Sequence, residues 1–275
     1  MKKISIGKIL TYLVLTIGAL IMIFPFYWMI ATTLKTSAEY ASYPPVWAPS
    51  NWLNFENFVA AFKAAPMATY FKNSVVVTVI SVAINSFTTI CAAFAFSRLK
   101  FKGREFLFAC LLSFMMVPFE MLVITNYTTV SKLHLINTLA VLIIPFTTSI
   151  FYTYILKSFF DTISDSLYYS ARIDGTSNWK YLWRVMVPIA KPSLVTILLL
   201  NTIASWNSYL WTSLTITSDT NRTIPLALSV FMTDAGSNQQ LQLAAATVAV
   251  LPMIILFIFA RKYIVNGVAR GGIKG

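Results

Sequence analysis

The sequence predicts an all-α membrane protein with six transmembrane helices, and three observations predict it. Mean hydropathy is +0.72, with 57% of residues hydrophobic and 11% charged, which excludes an ordinary water-soluble domain. The apolar residues gather into six runs, at 9–32, 73–96, 106–125, 138–156, 194–216 and 243–259, each near the ~20 residues that cross a bilayer as a helix. The basic residues are placed asymmetrically. When 1–8, 97–105, 157–193 and 260–275 are assigned to the inside, only Lys35, Lys63, Lys72, Lys132 and Arg222 of the 21 lie outside. Such a bias puts both termini in the cytoplasm. It also accounts for the net charge of +12 without nucleic acid, since no compact basic patch is present.

Residues 1–8 carry Lys2, Lys3 and Lys8 ahead of the first apolar run. That run exceeds the ~7–15 residues of a signal-peptide core and ends in no small-x-small site, so it reads as a first span entered from the cytoplasm. Residues 35–72 begin as a polar loop with Pro44, Pro45 and Pro49. They continue into FENFVAAFKAA, where Phe55, Phe58, Val59 and Phe62 fall on one helical face. This stretch is either an interfacial helix or an irregular loop. Pro118, Pro145 and Pro252 fall inside runs three, four and six and predict kinks.

Between runs four and five lies a polar, basic segment, 164–192. Ser164-Asp165 can cap a helix that extends through Ile173. Asp174-Gly175 supplies a tight corner. Thr176 or Ser177 caps a second helix, 178–187, which Pro188 and Pro192 are expected to end. Ser170, Ala171 and Gly175 are small and permit close approach of another backbone, while Trp179, Leu182, Trp183 and Met186 form one apolar face. Charge places this helical knob in the cytoplasm.

The residues offer no enzyme constellation. There is no phosphate-binding Gly-rich loop, zinc-helix motif or nucleophile elbow. Cys91 and Cys110 lie in apolar runs and His134 stands alone in a loop, so no disulfide, metal or cofactor is expected. Polar residues within the spans are the candidates for a passage: Asn85 in span two, Glu120 in span three, and Asn201, Ser205, Trp206, Asn207 and Tyr209 in span five. Amides, hydroxyls and indoles suit a neutral polyhydroxylated ligand. They equally suit hydrogen bonding between helices, and Glu120 equally suits a position near the outer water.

With six spans and this knob, the sequence resembles the permease subunits of bacterial binding-protein-dependent ABC importers, in the carbohydrate group and its maltose-type second permease. That family carries a Glu-Ala-Ala-x-x-x-Asp-Gly signature followed by two prolines. Tyr169, Ser170, Ala171, Asp174, Gly175, Pro188 and Pro192 fall on it, with Tyr169 in place of the usual Glu and Ser170 in place of an Ala. AAFAFSRLKFKGR at 92–104, SWNSYLW at 205–211 and NGVARGGIKG at 266–275 agree with further family stretches.

The resemblance implies a type I importer fold in the bacterial plasma membrane, a non-catalytic chain, and a carbohydrate as solute, with glycerol phosphate or a polyol as the alternative. It implies a heterodimer with a homologous permease, two copies of a cytoplasmic ATPase, an extracytoplasmic solute-binding protein and contact with membrane lipid. Tyr169, Ser170, Ala171, Arg172, Asp174, Gly175, Trp179 and Pro188 would couple to the ATPase, and Gly271, Gly272 and Lys274 of the tail would contact it. A channel or ion-coupled carrier is the alternative class. It would show several intramembrane charges or an inverted repeat.

Overall fold

The structure is a computed structural model that describes residues 6–231 and 239–271. All regular structure among them is helical. In chain order the α-helices are α1 (Ile6–Leu34), α2 (Ser37–Ala41), α3 (Glu56–Ala64), α4 (Met67–Arg98), α5 (Arg104–Phe114), α6 (Phe119–Lys132), α7 (Ala140–Ile143), α8 (Ile150–Asp161), α9 (Asp165–Ile173), α10 (Asn178–Tyr181), α11 (Val187–Ile189), α12 (Lys191–Trp206), α13 (Leu210–Thr215), α14 (Ile224–Ala227) and α15 (Gln239–Gly271). The chain divides into two compact units, one of residues 1–68 and 227–251, the other of 69–226 and 252–275.

Three helical stretches are long and apolar enough to cross a membrane: Gly7–Leu34, Met67–Arg98 and Gln239–Arg261. Three bent pairs pass the same test together, so the described residues provide up to six spans if each pair is one span. The bends carry the main departures from the expected pattern. Run three breaks at 115–118 and turns by 96°, because Pro118 adopts an extended backbone and has no N–H to continue the ladder. Run four bends by 42° between Phe146 and Ile150. Run five ends as a helix at Trp206, and α13 is a separate short element.

In the first unit, α1 leads into a loop pinned by one carboxylate. Thr36 caps α2 through its side chain, and Glu39 Oε2 accepts from the Thr36 N–H at 2.7 Å. Glu39 Oε1 accepts from the Ser50 N–H at 2.7 Å, which ties the far end of the loop to the same group. Lys35 is buried, with its Nζ 4.1 Å from the Trp28 ring centroid. Burial lowers its pKa, opposed by the charge of Glu39. The FENFVAAFKAA stretch is a helix, α3. Phe55, Val59 and Phe62 are exposed on it, and Ala61 faces the chain.

The second unit has two apolar clusters. One joins Phe94, Leu156, Phe160, Tyr181, Leu182, Met186 and Ile197 from α4, α8, α12 and the knob. The other gathers Val77, Val141, Leu142 and Leu226 around Trp211, which is 2% exposed and donates through Nε1 to the Val141 carbonyl at 2.9 Å. The bend in run four is satisfied from α4. Asn85 Nδ2 donates to the Phe146 carbonyl at 2.9 Å, and Thr88 Oγ1 donates to the Thr147 carbonyl at 2.7 Å. These carbonyls lack helical donors at the break, and in hydrocarbon each would otherwise cost several kcal/mol.

Candidate functional site

The knob is built as two arms on one corner. Ser164 Oγ accepts from the Ser166 N–H and caps α9. α9 ends in a Schellman pattern: the Thr176 N–H bonds the Ala171 carbonyl at 2.9 Å and the Gly175 N–H bonds the Arg172 carbonyl at 3.1 Å. Gly175 sits at φ +73°, where any side chain is strained, and a Cβ there would meet nothing among the described residues within 4 Å. Arg172 Nη1 donates to the Thr176 carbonyl at 3.1 Å and braces the corner. Of the two capping candidates, Ser177 caps α10, its Oγ accepting from the Lys180 N–H.

The second arm departs from expectation at Pro188. The helix does not stop there. Residues 182–186 widen into a π-turn, with the Val187 N–H bonding the Leu182 carbonyl, and the helix resumes through Ile189. A wide turn accommodates the missing proline donor and its ring clash with the carbonyl four residues back. The chain turns by 83° at Ala190, and Pro192 sits in the first turn of α12, starting a helix rather than ending one.

The apolar face of this arm is largely consumed within the chain. Leu182 and Met186 are fully buried, and Trp179 and Trp183 pack at 6.3 Å against Phe87 of α4, with Trp179 still 56% exposed. Ala171 also faces inward, against the same cluster, so close approach from outside falls on Ser170 and Gly175. The outward face of α9 presents Leu167, Tyr169 and Ser170 and ends at Ile173, which is 86% exposed beside Asp174. The Lys100 ammonium lies 5.8 Å from the Tyr169 ring centroid. Sequence reasoning passed over Ile173 because apolar periodicity reports a face, not what covers it.

The candidate passage residues separate. Asn201, Ser205 and Trp206 line one cavity of about 130 Å³, together with Thr78, Ser81, Phe146 and Thr223 among others. Ser81 Oγ, Asn201 Nδ2 and Thr223 Oγ1 are buried and have no hydrogen-bond partner among the described residues. Asn85 is outside this cavity and bonds the Phe146 carbonyl, which is the helix-to-helix role. Asn207 and Tyr209 are exposed where run five is broken. Glu120 is exposed in the first turn of α6, where the helix dipole favours an acid, and does not line the cavity. Gly271 is the last residue of α15; Gly272 and Lys274 lie outside the described residues. His134 is exposed at a left-handed turn with φ 55°.

Comparisons with known proteins agree with this anatomy. Residues 84–270 match the family described as binding-protein-dependent transport system inner membrane component. The chain is 32% identical to the inner membrane ABC transporter permease protein YcjP of Escherichia coli, over 99% of each chain. It is 31% identical to the arabinooligosaccharides transport system permease protein AraQ of Halalkalibacterium halodurans, covering 99% of this chain and 100% of the relative. It is also 31% identical to the diacetylchitobiose uptake system permease protein DasC of Streptomyces coelicolor, over 100% of each chain. The fold matches that of a solved bacterial ABC transporter involved in import of the acidic polysaccharide alginate, with a TM-score of 0.85 at 22% identity, covering 96% of this chain and 99% of that one. The chain therefore belongs to the family of inner membrane components of binding-protein-dependent transport systems, the multi-pass, non-catalytic permease subunits of ABC importers.

Proposed function

We propose that the chain is one permease of a heterodimer that imports a carbohydrate, assembled with two copies of a cytoplasmic ATPase and an extracytoplasmic solute-binding protein, with both termini in the cytoplasm. The observation that carries the coupling role is the tip of α9. An 86% exposed isoleucine beside a glycine corner is an apolar anchor that the described residues do not cover. Ile173, Leu167 and Tyr169 supply contact area, Ser170 and Gly175 allow close approach, and Asp174 closes the corner. Arg172 and Pro188 shape the element, and Trp179 contributes its exposed edge.

On the solute side, relatives with names that specify arabinooligosaccharides and diacetylchitobiose support a sugar. The cavity of Asn201, Ser205 and Trp206 fits that reading, since its unpartnered hydroxyls and amide call for a hydroxylated ligand or water. Among the described residues its lining contains no lysine or arginine, which favours a neutral sugar or polyol over glycerol phosphate.

Two variants test the coupling reading. Gly175→Trp and Ile173→Asp are expected to insert normally yet lose ATP-dependent uptake, with Ile173→Asp also releasing the ATPase from the purified complex. Full uptake by both variants would sink it. A binding screen on the solute-binding protein encoded beside this chain tests the solute, and a preference for peptides or amino acids would overturn the carbohydrate assignment.

A further inference from the structure

Arg98, the last residue of α4, keeps its side chain only 4% exposed although it carries a full charge. Its Nη2 donates to the carbonyls of Phe160 at 2.8 Å and Ile163 at 2.6 Å. Its Nη1 donates to Ser97 Oγ at 2.8 Å and stands 3.5 Å from Asp165 Oδ1. Phe160 is in the last turn of α8, where its carbonyl also accepts from the Ile163 N–H at 3.0 Å. Ile163 lies in the short link between α8 and the Ser164 cap of α9, so the guanidinium sits at the C-terminal end of α8, where a cation is favoured. Asp165 is the first residue of α9. One planar guanidinium therefore touches the end of α4, the end of α8 and the start of the coupling arm.

The same junction is tied twice more. Ser97 Oγ donates to Asp161 Oδ1 at 2.7 Å, and within α8 the Lys157 Nζ holds that carboxylate by donating to its Oδ2 at 2.7 Å. Lys100, two residues beyond Arg98, reaches the Tyr169 ring of α9. Stability alone is a poor reason for such an arrangement, because burying a charge is costly and apolar packing at such sites is often as stable or better. Directionality is what the fork adds, since it fixes several acceptors at set angles. The other route out of the corner passes through a π-turn and the 83° bend at Ala190.

We infer that Arg98 is a positioning residue that makes the ends of α4 and α8 and the start of α9 one rigid body, so that displacement of α9 is passed sideways into α4. The inference rests on the docking of α9 proposed above. It is tested in the assembled complex by pulsed electron paramagnetic resonance between spin labels at Val79 of α4 and Ser166 of α9, both exposed. Spectra are taken with and without ATP plus orthovanadate. With Arg98 present the distance distribution is narrow and the same in both states. With Arg98→Met it broadens and shifts with nucleotide, while the complex still hydrolyses ATP; Arg98→Lys restores part of the narrow peak. A narrow, nucleotide-independent peak in Arg98→Met overturns the inference. If that variant does not insert, Asp165→Asn, at an exposed side chain, decides by the same measurement, with an unchanged peak again counting against it. Loss of the ATPase from the unaltered labelled complex would instead fault the docking reading.

Discussion

Glu39 shows how one carboxylate can hold a loop. Hydrogen bonding from Ser50, and then from Thr36, draws its pKa down from 4.5 to about 2. A carboxylate with a folded pKa below its unfolded one stabilises the fold fully above about 4.5 and loses that contribution as pH falls toward 2. Amide exchange at Thr36 and Ser50 should therefore be slow and steady at neutral pH and lose protection progressively below about pH 4.5. Glu39→Gln should weaken protection already at pH 7, where equal protection in the two proteins would show that the carboxylate does not hold the loop. Arg98 is the other single residue on which much depends. Its role was hidden in the sequence because the carbonyls it satisfies lie 62 and 65 positions away, and no local pattern reports them.

Among the elements, proline interrupts run three at Pro118, whereas α15 continues through Pro252 without a break, and in run four side chains of α4 repair the bend. Asn85 is the clearest case. Asn85→Leu should cost about 1–3 kcal/mol in unfolding of the purified protein, because it leaves the Phe146 carbonyl buried and unpaired. A change under about 0.5 kcal/mol would mean the carbonyl finds another partner. The knob was partly legible beforehand. Asp174-Gly175 announced its corner through residue chemistry, and a polar cap at the start of each arm could be read locally as Ser164-Asp165 and as Thr176 or Ser177, of which Ser164 and Ser177 do the capping. The fate of the tryptophan stripe could not, because periodicity shows that Trp179, Leu182, Trp183 and Met186 share a face but not that α4 and the chain's own core occupy most of it. Pro188 misled for a related reason, since a π-turn absorbs the missing bond only when tertiary packing holds the arm in place.

At the scale of the molecule, composition and charge placement lead to a helical membrane protein, and family membership makes it a permease subunit. The six apolar runs were legible by length alone; the 96° and 83° bends within the bent pairs were not, because hydropathy is blind to direction. Under the coupling proposed above, α9 is the surface on which a separate ATPase pushes. A photo-cross-linking amino acid placed at Ile173 in the full chain, activated in native membranes, tests the coupling surface and the cytoplasmic orientation together. Capture of the ATPase subunit is expected, in a yield that changes when ATP and orthovanadate are added. Capture of an extracytoplasmic protein, or of lipid alone, would contradict it.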